Sequence, residues 1–387
     1  MALPRKRRKA ADGPRLWKIW IAIPIVVLFG LVTAVATGGL IWLGLGRPKL
    51  GAVDGWDAQA QLETVRLALF VVGGIGGVVA LVVAYRKQRV NEASDRRENS
   101  KLFNDRFLAA CAELGNDAAA VRLAAVYALA RLADDWRPER QTCIDVLCAY
   151  LRLPYVANPE GSDWKQGERE VRLSIVRIIR DHLRKTLEDP LTWQGFDFDF
   201  TTATFDDGDL SGANFSAGTV SFLGAIFSGG MVSFQGTRFS GAEVNFVAAA
   251  FVGSEVSFHK AAFSGGKVNF YKAAFATGGV DFTAAVFSGG KVGFLDAEFC
   301  GSKVSFSGVT FSGGEVSFGA KFTAGTVDFP GAKFTGSDVS FVLARFAGGE
   351  VDFERARFPD NSPAFAVLLR DPPPGVKLPD RPATTGA

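Results

Sequence analysis

Residues 213–263 read ANFSAGTVSFLGAIFSGGMVSFQGTRFSGAEVNFVAAAFVGSEVSFHKAAF, and phenylalanine falls through them on a fixed beat. One series runs Phe215, Phe227, Phe239, Phe251, Phe263, Phe275, Phe287, Phe299 and Phe311, twelve residues apart. A second runs Phe222, Phe234, Phe246, Phe258, Phe270, Phe282, Phe294 and Phe306 with the same period, so the beat is 0, 5, 7, 12. A valine stands two residues before each Phe of the second series, as at Val220, Val232 and Val244, and an alanine usually stands two before the first, as at Ala213, Ala225 and Ala249. A period this strict is the mark of a stacked-repeat architecture. Low-complexity disorder is the weak alternative, because a disordered segment has no reason to keep some two dozen Phe in register.

Each unit reads small-x-Phe, and alternation over so short a run points its first and third residues inward and its middle one outward. The outward set is mostly polar: Ser221, Ser233, Asn245, Ser257, Asn269, Asp281, Ser305, Asp328, Ser340 and Asp352. The spacing fits neither a hexapeptide helix nor a calcium-binding GGxGxD repeat. Four units of five, seven, five and seven residues per turn fit instead. The expected interior ladder is those two series together with Phe205. At Phe318 to Phe322 the beat is one residue short and then resumes, so one corner must absorb the slip. Glycine pairs recur at one phase (Gly229-Gly230, Gly265-Gly266, Gly289-Gly290, Gly313-Gly314), where a corner needs positive φ.

Ala213-Asn214-Phe215, and the pure fives Phe200, Phe205, Leu210 and Phe215, resemble the pentapeptide-repeat family, whose unit is Ala-(Asp/Asn)-(Leu/Phe)-x-x. The resemblance implies an all-β right-handed quadrilateral β-helix, a pentapeptide-repeat solenoid, over 191–358. Elsewhere the chain departs from that unit: every second repeat gains two residues, and the middle position is seldom Asp or Asn.

The N-terminal third reads differently. Residues 1–18 are a basic tail, with Arg5, Lys6, Arg7, Arg8, Lys9, Arg15 and Lys18 against Asp12. Uncharged apolar runs follow at 19–45 and 67–85, each long enough to span a bilayer. They predict a two-helix transmembrane hairpin with an extracytoplasmic loop at 46–66. Ala34-Val35-Ala36 resembles a signal-peptide cleavage site, but the apolar run continues through Leu43. Gly73 and Gly77 form a Gly-x-x-x-Gly pair suited to close helix packing. Arg86, Lys87, Arg89, Arg96 and Arg97 follow the second run, so basic residues flank both outer ends. That asymmetry puts both termini in the cytoplasm of a multi-pass plasma-membrane protein.

Residues 86–190 read as a small all-α block. Ala118 to Ala133 is amphipathic with Arg122 off the apolar face, Pro138 to Pro154 holds a second helix, and Val171 to Leu187 a third. Val-Arg-Leu-Ala-Ala at 121–125 is similar to a helix of HEAT-like repeats. The block is expected to cap the first turn near Trp193. At 359–387 a cap, or a contact between two copies, is expected at Phe365 to Leu369, followed by a Pro-rich tail that is disordered or extended. The order of segments resembles membrane-anchored actinobacterial pentapeptide-repeat proteins, a group that implies architecture and location without an activity.

Chemistry is sparse. Two histidines, His182 and His259, and four cysteines, Cys111, Cys143, Cys148 and Cys300, form no metal spacing. Gly-Lys at 266–267 and 290–291 is followed by Val where a phosphate loop needs Ser or Thr. No catalytic residue, metal or cofactor is expected. Two functional classes remain: a membrane-tethered scaffold whose faces bind an unidentified protein, and a DNA mimic that engages a topoisomerase. A purely structural spacer or self-association module is a third. Mimicry needs a strongly acidic shaft, whereas residues 196–358 carry 16 Asp and Glu against 11 Lys and Arg. Five of those acids, Asp197, Asp199, Asp206, Asp207 and Asp209, crowd the first turn, and nucleic acid is not an expected partner.

Overall fold

The computed structural model describes residues 58–156, 165–357 and 372–379, with a few isolated helical positions between 25 and 43. The chain divides into two units, 1–101 and 102–387. Helix α1 (Ala58–Leu114) begins in the first and ends in the second; it contains the second predicted span but does not stop at Tyr85. Among the described residues, no helix is long and apolar enough to cross a membrane. The predicted transmembrane hairpin is therefore not found; most of its first arm, with the tail 1–18, lies outside the described residues.

In the second unit, three helices precede the solenoid: α2 (Ala119–Asp135), α3 (Arg140–Leu151) and α4 (Glu168–Leu183). A short 3-10 turn with Pro138 leads into α3. Ala125, Val126 and Leu129 of α2, Cys143, Ile144 and Leu147 of α3, and Val171, Ile175 and Ile179 of α4 are buried together. Arg122 is buried rather than on the polar face. Its guanidinium bonds the carbonyls of Asn116 and Asp117 and pairs with Glu168 at 3.2 Å.

From Phe198 onward the chain winds into a solenoid of about seven turns, with four parallel ladders per turn. The first ladder stacks Phe198, Val220, Val244, Val268, Val292, Val316 and Val339. The second stacks Phe205, Phe227, Phe251, Phe275, Phe299, Phe322 and Phe346. The third stacks Gly208, Val232, Val256, Val280, Val304, Val327 and Val351, and the fourth Phe215, Phe239, Phe263, Phe287, Phe311 and Phe334. Inner turns therefore hold 24 residues, as from Phe227 to Phe251.

Two kinds of corner join the ladders. One is a four-residue turn, Phe-x-x-Ala, closed by a bond such as Ala249 N to Phe246 O at 3.0 Å. Its third residue has positive φ, and often it is not glycine: Thr202, Ala248, Lys260, Lys272, Ala284 and Asp296 all sit there. The residue between Val and Phe points outward and supplies the cap, as Asn245 Oδ1 accepts from Val247 N at 3.0 Å and Asp281 Oδ1 from Thr283 N at 2.8 Å. Most polar outward positions of the sequence are thus bound to the corner that follows them, an Asx or Ser/Thr turn; Asp328, followed by Phe329 and Pro330, instead accepts from Ser305 Oγ at 2.7 Å.

The other corner is the glycine pair. A Cβ on Gly266 would lie 2.2 Å from the Ala242 carbonyl oxygen of the turn below, and one on Gly230 still closer to that of Asp206. Where the pair is broken, Ser254 and Ser302 are buried with their hydroxyls on the Phe227 and Phe275 carbonyls, both at 3.1 Å. The one-residue slip is taken up wholly at Phe318-Gly319-Ala320, where Ala320 N bonds Phe318 O directly at 2.7 Å. The turn from Phe299 to Phe322 is consequently one residue shorter than its neighbours.

The two kinds of corner separate in denaturation experiments. Gly236 and Gly266 have nearly equal φ, 63° and 69°, but a Cβ on Gly236 meets nothing within 4 Å. Gly236→Ala is expected to lose about 1–2 kcal/mol from the left-handed backbone alone, and Gly266→Ala more than twice that. Lys260→Gly, at φ 56°, is expected to gain up to about 1 kcal/mol. Equal losses for the two alanine variants would show that the carbonyl below is not the constraint.

Candidate interaction surfaces

The phenylalanines that define the solenoid are not available to a partner. Every residue of the expected ladder, Phe205 through Phe311, is buried, with Phe205 the most exposed at 4%. Rings of successive turns stack, as Phe246 on Phe270 at 4.7 Å and Phe263 on Phe287 at 4.5 Å. Across the interior the two corner columns meet edge to face, Phe246 against Phe258 at 6.1 Å and 82°. Both arrangements suit the ring quadrupole.

What reaches solvent is a set of columns, one residue per turn. Next to the first ladder stand Glu243, Lys267, Lys291, Glu315 and Asp338, flanked by the short Asn269, Gly293, Ser317 and Ser340. From Lys267 and Asn269 onward they line a shallow trough of about 240 Å³. Lys291 pairs with Glu315 at 2.7 Å and Lys267 with Glu243 at 3.7 Å. Along the corner beside that face lies a row with exposed Leu223, Leu295, Val342 and Leu343 and half-buried Tyr271.

The acids of the first turn are not a free anionic patch. Arg152 bonds Asp199 at 2.5 Å, Arg169 reaches Asp206 at 3.1 Å and Asp207 at 2.5 Å, and Arg180 binds Asp209. Asp197 accepts from Thr219 N at 2.8 Å. The arginines come from α4 and from Arg152 at the end of α3, so sequence could not assign these acids until the packing of the block was known. Burial favours the neutral form of Asp209, yet bonds from Ser211 and the Arg180 guanidinium hold its carboxyl below the ordinary range. Asp134 is held low in the same way, against burial, by His182 at 3.1 Å and the Trp193 indole at 3.3 Å.

His182 stacks on the fully buried Trp193 at 4.1 Å and bonds the Ile178 carbonyl, so it is part of the junction between helices and solenoid. Two further residues of that junction escaped the sequence reading. Arg140 is buried with bonds to the Ala133 and Thr192 carbonyls, both at 2.9 Å, and Arg172 is buried with bonds to those of Leu151 at 2.5 Å and Thr204 at 3.2 Å. Nothing in a helical Arg distinguishes such a position before the chain is folded. The cysteines are free thiols; Cys143 and Cys148 are buried, and burial pushes both up to about 12, far from a reactive thiolate. No group of His, Cys and carboxylates among the described residues could hold a metal ion.

No protein-family model, curated protein or solved structure matches the chain.

Because Asp134 and Asp209 have lowered carboxyl values when folded, each adds stability above its unfolded value, about 3.9. That contribution is lost as pH falls through the folded value. The denaturation midpoint is therefore expected to drop as pH falls below about 5 and on through the lowered folded values, with a shallower drop in Asp134→Asn/Asp209→Asn. Parallel acid limbs for the two proteins would contradict the assignment. Arg172→Met, which strands buried carbonyls, is expected to cost about 2–5 kcal/mol, and Arg172→Lys is expected not to restore it.

Proposed function

We propose that the chain is a non-catalytic scaffold of the pentapeptide-repeat type, held at the cytoplasmic face of the plasma membrane by its N-terminal segments, with solenoid faces that bind a protein partner. The observation that carries this reading is the solenoid itself: its interior is filled by aromatic rings, and its outer surface offers flat columns of side chains in place of an enclosed cleft. A surface of that kind suits recognition of another macromolecule better than chemistry on a small substrate. The 24-residue turn with Phe or Val on every side fits a four-sided pentapeptide solenoid.

Support for the membrane comes from composition. Residues 19–45 and 67–85 carry no charged side chain, and basic residues flank their outer ends. Phe70 and Leu81 in α1 are 73% and 70% exposed, a burden in water that lipid would remove. On this reading the second span continues past Tyr85 as a charged helix.

Mimicry of DNA loses its main support once the acids of the first turn face arginines. From Ala213 to Phe358 the solenoid carries 11 acidic and 11 basic residues, a poor copy of a phosphate backbone.

Full-length protein is expected in the membrane fraction after alkaline extraction, released by deletion of 1–85, with residues 102–387 protected from protease added outside intact cells. Full-length protein in the supernatant would remove the anchor, and external digestion would reverse the topology. Strong inhibition of gyrase supercoiling by the released form would favour mimicry over scaffolding.

A further inference from the structure

The ladder register fixes the order of charges on the first face: Thr219, Glu243, Lys267, Lys291, Glu315, Asp338, one per turn. All six are exposed. Two neighbouring pairs carry the same sign, Lys267 beside Lys291 and Glu315 beside Asp338. Like charges directly opposite across adjacent strands are unfavourable within one chain. Asp338 has no ion-pair partner among the described residues, and Lys291 already spends its contact on Glu315.

The sequence plus, plus, minus, minus has a second property: it is complementary to its own reversal. We infer that this face binds a second copy of the chain, antiparallel, about a twofold axis between the turns of Lys291 and Glu315. Lys291 of each copy then faces Glu315 of the other, and Lys267 faces Asp338. Both like-signed pairs become members of alternating networks. Moving the axis one turn toward the N-terminus would set Lys267 against Lys291 and Glu243 against Glu315, and moving it two turns would oppose only Glu243 and Lys267, so the charges favour the axis between Lys291 and Glu315. A twofold contact of this kind closes on itself and does not propagate.

Steric features agree with the same axis. Beside it, Gly293 of one copy faces Ser317 of the other, the smallest pairing along that column, so the backbones approach where the charged pairs must meet. On the flanking corner the axis sets Leu295 against Gly319, and Tyr271 against Val342, which is 68% exposed. The rim of the contact is thereby apolar where its centre is ionic.

The other faces lack this order. The column of the third ladder (Met231, Glu255, Gly279, Lys303, Thr326, Glu350) sets a neutral residue between successive charges, so no like charges adjoin there for a partner to relieve. The column of the fourth ladder (Asn214, Arg238, Ala262, Val286, Thr310, Lys333) has no acid, and that of the second (Ile226, Ala250, Ala274, Glu298, Lys321, Arg345) has one.

Light scattering on the full chain in detergent, with the detergent mass subtracted, reads the copy number directly. The wild type is expected at the mass of two copies in low salt, shifting toward one copy as salt screens the pairs. Lys267→Glu/Lys291→Glu and Glu315→Lys/Asp338→Lys should each run as one copy with unchanged circular dichroism, and a one-to-one mixture should return to two. The chain carrying all four reversals keeps the complementary order and should also be dimeric, a check that survives if either double variant folds poorly. A wild type at single-copy mass up to tens of micromolar, a double variant that stays dimeric, or a mixture that stays at single-copy mass would each overturn the inference; a single-copy wild type would leave the face to a different protein.

Discussion

The spacing between hydrogen-bonded parallel strands, about 4.8 Å, is the constraint to which the rest of the solenoid answers. Each turn must repeat the last at that rise, so every interior position becomes a column and every column must tolerate a copy of itself one strand away. Aromatic rings do so well: successive phenylalanines stack at 4.5–5.0 Å through the inner turns, as in Phe263 on Phe287 and Phe294 on Phe318. Backbone corners tolerate it poorly. At the glycine pairs the carbonyl of one turn occupies the place a Cβ of the next would need, and this explains why small residues recur there while Phe-x-x-Ala corners accept Lys and Asp.

A stack of parallel strands ends in unpaired backbone groups at both ends. At the first turn the helical block supplies side chains in place of a strand. Gln141 exchanges two bonds with the Asp197 backbone, at 2.8 and 3.0 Å, Arg172 donates to the Thr204 carbonyl, and Arg184 to that of Ser211 at 2.6 Å. The ion pairs from Arg152, Arg169 and Arg180 lie around this edge, partly exposed, so they orient the block more than they stabilise it. At the far end the Pro-rich tail does what the expected cap at Phe365 to Leu369, outside the described residues, was assigned. Val376 and Lys377 add a strand to Val351 and Asp352, and Gly375 accepts from Val351 N at 2.8 Å.

The repeat was legible because its signal is redundant: any one turn could be lost and the beat would still show. The 24-residue turn followed from counting, and the slip at Gly319 from a single missing residue. Features that occur once were not legible. Arg122, Arg140 and Arg172 are ordinary helical arginines until the carbonyls they cover are brought to them from elsewhere in the chain. The positive φ at Lys260 and Asp296 leaves no trace in composition, because the bonds that close those corners, Ala261 N to Phe258 O at 2.9 Å and Ala297 N to Phe294 O at 3.1 Å, are backbone bonds and the residue in the turn merely complies. Tyr85 marked the end of an apolar run, but a helix need not end where its composition changes, and α1 continues to Leu114.

The division of labour along each turn also decides where recognition can reside. In the unit Val-x-Phe-x-x-Ala-x-Phe, the apolar positions are interior and the residue after Val is bound to its corner. Only the residue before each Val, the residue between Ala and the Phe that follows it, and the two at the tip of the four-residue turn are free to vary without disturbing the stack. Because the strands are in register, each of these positions becomes a line of side chains about 4.8 Å apart. A partner therefore meets the order of charges and apolar groups along a column, and single residues matter through their neighbours in the turns above and below. On a nearly neutral solenoid, net charge carries little information and order carries most of it; the run Lys267, Lys291, Glu315, Asp338 is the place where that order is least random.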